Sequence, residues 1–167
     1  MRVKIKKLHP NAVIPSYAKP GDAGMDLVAI SKSISTEIED QADYIEYKTG
    51  LAFEIPTGHV GLIFPRSSNS KKDLTLSNSV GVIDSGYRGE VSLRFKIDAT
   101  YDKVLTVRDD TIALLDDLAG TFFQNIYNIG DKVGQLIIIP YPQIEFEEVE
   151  ELSETERGDG GYGSTGN

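Results

Sequence analysis

The chain has 167 residues, with 17 Lys and Arg against 26 Asp and Glu for a net charge of −9, two His and no Cys. That length predicts one domain with a full core, and the lack of Cys excludes disulfides, thiolate metal sites and a Cys nucleophile while fitting a reducing, cytoplasmic compartment. The acidic balance argues against nucleic acid as partner, since polyanion binding works through counterion release by basic surface, but local Arg residues or a divalent cation can still hold a small anion.

His9 stands before Pro10 and His59 closes Pro56-Thr-Gly-His, so both imidazoles are expected in loops rather than in a metal site or a Ser-His triad. The N-terminus Met1-Arg-Val-Lys-Ile-Lys-Lys has no apolar signal core. No run approaches the roughly 18 apolar residues of a membrane span. A soluble protein with no membrane contact is expected.

Period-two alternation starts at Val3 and Ile5 and returns at Leu51/Phe53/Ile55 and Val91/Leu93/Phe95/Ile97. Val60-Gly-Leu-Ile-Phe64 and Leu136-Ile-Ile-Ile139 are continuous apolar runs. All are strand signals, and turn clusters such as Lys19-Pro-Gly-Asp22 and Asp84-Ser-Gly86 punctuate them. The predicted class is therefore all-β, a sandwich, jelly roll or barrel. Ser67 to Asp73 reads as a loop or one helical turn. Residues 98–130 read as an insertion in the domain 1–144, with a short helix over 109–120 that Asp caps and Gly120 stops. The acidic run 145–156 repels itself and reads as an extended arm. Beyond it, 157–167 carries five Gly in eleven residues, a composition equally suited to a frayed terminus and to a closing lid.

Several segments carry groups able to do chemistry. Asp22-Ala-Gly-Met-Asp26-Leu sets two carboxylates four apart. Pro65-Arg66-Ser67-Ser68 follows an apolar strand with a guanidinium and two hydroxyls, a set suited to a polyphosphate, although a surface Arg in a strand-ending loop accounts for it too. Asn78 offers an amide that donates and accepts, matching a pyrimidine edge. In Gly81-Val-Ile-Asp84-Ser-Gly-Tyr87-Arg-Gly, Asp84 and Tyr87 are expected at a hairpin tip. Asp84 there suits a general base or a metal-water ligand, although taken alone the segment reads as an ordinary Asp-x-Gly turn in which the Asp caps its own backbone. Val133-Gly-Gln135 places a lone amide at the mouth of an apolar strand. In the tail, Arg157, Tyr162, Ser164 and Thr165 supply a cation, a flat ring and hydroxyls, but no Lys completes a nucleotide-binding Walker loop.

Taken in order, Asp22-Ala-Gly-Met-Asp-Leu, Pro65-Arg-Ser-Ser, Gly81-Val-Ile-Asp-Ser-Gly-Tyr-Arg-Gly, Gly134-Gln-Leu and Arg157-Gly-Asp-Gly-Gly-Tyr-Gly-Ser-Thr-Gly resemble the five ordered motifs of the trimeric dUTP diphosphatases, the dUTPases. The resemblance implies a β-barrel or jelly-roll subunit, a homotrimer with shared sites, and Mg²⁺-assisted hydrolysis of dUTP to dUMP and pyrophosphate. It implies that Asp84 orients and deprotonates the water attacking the α-phosphorus. It assigns Asn78, Gly81 and Tyr87 to the deoxyuridine pocket, and Arg66, Ser67, Ser68 and Gln135 to the phosphates. Asp26 would reach Mg²⁺ through coordinated water. In the tail, Arg157 would meet the γ-phosphate, Tyr162 would stack on uracil, and Gly163, Ser164 and Thr165 would close over the triphosphate.

Asn69 departs from the apolar residue usual after motif two, Tyr162 replaces a common Phe, and the insertion 98–130 exceeds the usual connection. A dCTP deaminase shares the implied fold, but it needs a catalytic Glu where this chain has Ser92-Leu-Arg94. A regulatory role, with the insertion holding a protein partner, is the non-enzymatic alternative.

Overall fold

The computed structural model describes residues 1–35, 44–97 and 125–161. The helix expected at 109–120 and the tail residues from Tyr162 onward lie outside the described residues. In chain order the strands are β1 (Lys4–Lys7), β2 (Met25–Val28), β3 (Ser31–Ser35), β4 (Tyr44–Lys48), β5 (Leu51–Glu54), β6 (His59–Phe64), β7 (Leu74–Leu76), β8 (Gly81–Ile83), β9 (Ser92–Ile97) and β10 (Lys132–Pro140). One 3-10 helix, Ser67–Lys71, separates β6 from β7.

Two four-stranded antiparallel sheets, ordered β2-β10-β6-β8 and β3-β4-β9-β7, carry the fold, with β1 and β5 paired separately. The class is all-β and jelly-roll-like, and the described strands form no closed barrel. Alternation explains β9, where Leu93 and Phe95 are buried while Arg94 and Lys96 face out. In β10 the apolar run pairs with β6 throughout, but only Leu136 of it also faces β2; Leu136 is buried, Ile137 and Ile138 are half-buried and Ile139 is exposed. β3 gave no apolar signal, because Ser31-Lys-Ser-Ile-Ser35 is an edge strand paired only with β4.

The sheets pack face to face. A Cβ built on Gly134 of β10 would stand 2.5 Å from Cδ2 of Leu93, so the leucine of one sheet occupies the space a side chain would fill in the other. Leu27, Ile45, Tyr47, Leu93, Phe95, Val133 and Leu136 are almost wholly buried in this layer. Tyr47, Phe95 and Tyr127 stack edge-on or tilted, with centroids 5.7–5.9 Å apart, the offset that aromatic quadrupoles favour. Gly50, at φ 67, turns β4 into β5 against Ala12 and His9. A side chain there meets both the wrong backbone region and no room.

One expected element differs. Asp84 and Tyr87 do not sit on a hairpin, because β8 pairs with β6 whereas the next strand, β9, pairs with β4 and β7. The chain crosses from one sheet to the other at Asp84–Glu90, as it also does between β7 and β8. Local turn chemistry cannot distinguish a hairpin from a crossover, since both need the same tight reversal.

Candidate functional site

Strand pairing assembles the first cluster. β10 lies between β2 and β6, so Gln135 stands opposite Asp26 on one side and Phe64 on the other. Two residues past Phe64, Arg66 turns back, and its Nε meets Asp26 Oδ1 at 2.8 Å. Lys132 Nζ meets Asp26 Oδ2 at 2.8 Å. Burial alone would raise the Asp26 pKa, but the hydrogen bond and charge of Lys132 and the charge of Arg66 outweigh it and hold the carboxyl below its ordinary value. Gln135 Nε2 donates to the Pro65 carbonyl at 3.2 Å. Gly24 makes room for that amide, since a Cβ there would stand 2.6 Å from Gln135 Oε1.

Arg66 Nη1 also donates to Ser68 Oγ at 3.3 Å, which ties the guanidinium to the start of the 3-10 helix. Ser67 is exposed beside it. An open cavity of about 400 Å³ lies here, lined by Arg66, Ser68, Lys72, Tyr127, Asp131 and Lys132. Three cations and two hydroxyls against a single carboxylate, Asp131, make this hollow suited to oxyanions.

Asn78 stands elsewhere, in the crossover between β7 and β8. It helps line a cavity of about 240 Å³ with Ile63, Leu76, Gly81, Leu93 and Arg94. Gly81 sits where a Cβ would lie 3.2 Å from Ile63 Cβ and 3.5 Å from Asn78 Nδ2. The walls are apolar at Ile63, Leu76 and Leu93 and polar at Ser77, Ser92 and Arg94, and with the two-way Asn78 amide they suit a small heterocycle.

Asp84 and Tyr87 form a third group. Tyr87 N donates to the Asp84 carbonyl at 3.0 Å, closing the turn. The Tyr87 hydroxyl donates to the Glu90 carbonyl at 3.0 Å, and its ring lies across Gly89, where a Cβ would collide with it. This fixes the ring with one face open to solvent. Asp84 is exposed, and no hydrogen-bond or ion-pair partner meets its carboxylate among the described residues.

These groups do not meet within one chain. Ile83 pairs with Gly61 at one part of β6, whereas Gln135 pairs with Phe64. Asp84 continues away from Arg66, and the three residues from Gly61 to Phe64 alone span about 10 Å. Arg157 is exposed and makes only local bonds, its Nε donating to the Gly160 carbonyl at 3.1 Å. Tyr162, Gly163, Ser164 and Thr165 lie outside the described residues.

Lys132 escaped the sequence reading. Three residues from Gln135, strict alternation puts it on the opposite face, but a bulge between Lys132 and Gly134 shifts the register and lets it reach Asp26. Three groups of His, Cys, Asp or Glu never converge among the described residues, and His9 Nδ1 instead accepts from Asn11 N in a turn. No helix there is long and apolar enough to cross a membrane.

The family model described as dUTPase matches residues 10–113 and 123–166. A deoxyuridine 5'-triphosphate nucleotidohydrolase of Nautilia profundicola is 40% identical over 167 residues, covering 99% of each chain. Among solved structures, the dUTPase of Staphylococcus bacteriophage 80alpha with dUPNHPP superposes with a TM-score of 0.75 at 30% identity, covering 99% of each chain. A mutant dUTPase from phage phi11 of S. aureus, described as coordinating a structural Mg(II) ion, gives 0.65 at 28% identity over 90% of this chain and 98% of that one.

Proposed function

The chain belongs to the dUTPase family, and from that premise we propose that the three separated clusters are parts of one active site assembled between subunits. The protein hydrolyses dUTP to dUMP and pyrophosphate. In our reading Asn78 and Gly81 hold the uracil edge and Tyr87 lies beneath the deoxyribose. Arg66, Ser67, Ser68 and Gln135 hold the phosphates, and Asp84 orients the attacking water and takes its proton. Phosphoryl transfer depends mainly on positioning and charge neutralisation, which suits a site offering cations, hydroxyls and the Asp84 carboxylate, unpaired among the described residues.

The family generally uses Mg²⁺, and the residues present fit it in one way. Mg²⁺ keeps several waters and binds through one or two carboxylates plus substrate phosphates. Asp26 is one such carboxylate, with each oxygen accepting one cationic donor and retaining a lone pair for coordinated water. When bound, the ion neutralises charge developing on the phosphate oxygens.

The observation that carries the shared site is that Arg66 follows the C-terminal end of β6 whereas Asp84 follows the antiparallel β8 past the other end. Family members are generally trimeric, and a homotrimer would bring the Asp84 of one subunit to the Arg66 cluster of another. The acidic arm 145–156 supports this reading, because Phe146 and Leu152 on it are 93% and 88% exposed, a large apolar cost that docking on a neighbour would remove. The segment 157–167 then closes as a lid, with Arg157 on the γ-phosphate, Tyr162 on uracil, and Gly163, Ser164 and Thr165 over the triphosphate.

Mixing tests this directly. Asp84→Asn and Arg66→Gln homotrimers should each be nearly inactive, whereas co-refolded mixtures should regain a substantial share of wild-type turnover through sites that draw both native residues. No recovery would place both residues in one subunit's site. Pyrophosphate release across dUTP, dCTP, dTTP and UTP should favour dUTP strongly. Ammonia release from dCTP would instead support a deaminase, which Arg94 argues against, since it ion-pairs with Glu46 at 3.1 Å where that chemistry needs an acid.

A further inference from the structure

The phosphate-binding turn is braced by a segment that none of the five motifs contains. Asn69, third residue of the 3-10 helix, accepts the Tyr127 hydroxyl on Oδ1 at 3.0 Å and donates from Nδ2 to the Leu74 carbonyl at 2.8 Å. Its own N–H donates to the Arg66 carbonyl at 2.9 Å, so Asn69 closes the turn that presents Arg66, Ser67 and Ser68. Tyr127 is rigidly held: it is 2% exposed, packs on Tyr47 and Phe95, and its carbonyl accepts the Tyr47 hydroxyl at 3.1 Å. Tyr127 also lines the same hollow as Arg66 and Ser68, and burial raises its pKa.

Two more bonds join the segments. Lys72 Nζ donates to the Ile126 carbonyl at 2.8 Å while standing 5.0 Å from the Tyr127 ring centroid, and Asp73 N donates to the Asn125 carbonyl at 3.1 Å. The turn therefore takes its geometry from the core through residues 125–127 as well as from Asp26.

We propose that Tyr127, acting through Asn69, is a positioning residue that holds the Arg66–Ser68 turn in the geometry that receives the triphosphate. Neither side chain needs to touch substrate. The inference rests on the assignment of Arg66 and Ser68 to the phosphates.

Tyr127→Phe removes only the hydroxyl and keeps the core ring, and Asn69→Ala provides a second route should the first variant fold poorly. Tyr127→Phe should weaken binding of the imido analogue of dUTP roughly fivefold, the cost of one lost hydrogen bond, and Asn69→Ala at least as much, since it also loses the bond to the Leu74 carbonyl. Inhibition by deoxyuridine, which has no phosphate, should stay unchanged. The double variant should bind the analogue no more weakly than Asn69→Ala alone, because both changes break one bond. A merely structural role would lower the urea midpoint and leave the affinities of the folded enzyme unmoved, which would overturn the proposal. Parallel loss of analogue and nucleoside affinity would overturn it as well. Arg66→Gln separates the layers: if it loses the analogue while both latch variants keep it, the latch is wrong and the phosphate assignment stands. If Arg66→Gln binds the analogue normally, the assignment fails first.

Discussion

Asp84→Asn should bind dUTP as the wild type does and lose turnover by about 10²–10⁴-fold, the usual contribution of a positioned general base. The amide has the shape of the carboxylate but cannot accept the water's proton at neutral pH. Folding should be untouched, because the Asp84 side chain is exposed and the turn is closed by backbone, Tyr87 N to the Asp84 carbonyl. Substrate affinity should persist because Asn78, Tyr87 and the Arg66 cluster remain. Steady-state kinetics with urea denaturation check all three parts. A variant with full kcat would remove Asp84 from the chemistry, and one with normal kcat but a raised KM would make it a binding group.

Ending the chain at Glu156 should lower kcat by about 10²-fold while leaving the melting behaviour of the body unchanged. Among the described residues Arg157 bonds only to Gly160, and Gly158 only to Thr155, so the described start of this segment makes no hydrogen bond to the sheets. The loss should come from the missing guanidinium on the leaving phosphates and from water that the lid no longer excludes. Adding back Arg157 and its two neighbours alone should recover little, since the stacking ring and the hydroxyls follow at Tyr162, Ser164 and Thr165. Retained kcat in the truncated protein would exclude the tail from the site and return it to a frayed terminus.

The strands that bury apolar side chains were legible in the sequence. β6, β9 and β10 fall on the runs at Val60–Phe64, Val91–Ile97 and Leu136–Ile139, because burial on one or both faces leaves a periodic or continuous record. β3 left none, since an edge strand facing water is specified by its partner rather than its own side chains. The turn at Asp84 was legible as a turn and not as a crossover. Arg66, Ser68, Asp26 and Gln135 were each legible as motif residues. Lys132 was hidden by a bulge, and the Tyr127–Asn69 latch by 58 residues of separation.

The sequence by itself determined the class, the family and the inventory of reactive groups, because these depend on residue types and local order along the chain. Tertiary structure decided which groups meet. Asp26, Gln135 and Arg66 come together only because β10 pairs between β2 and β6, and register between distant strands is set by packing across the whole sheet. It decided equally that Asp84 faces away from them. β8 runs antiparallel to β6, so the residue that follows β8 and the residue that follows β6 leave the sheet at opposite ends, whatever the side chains between them.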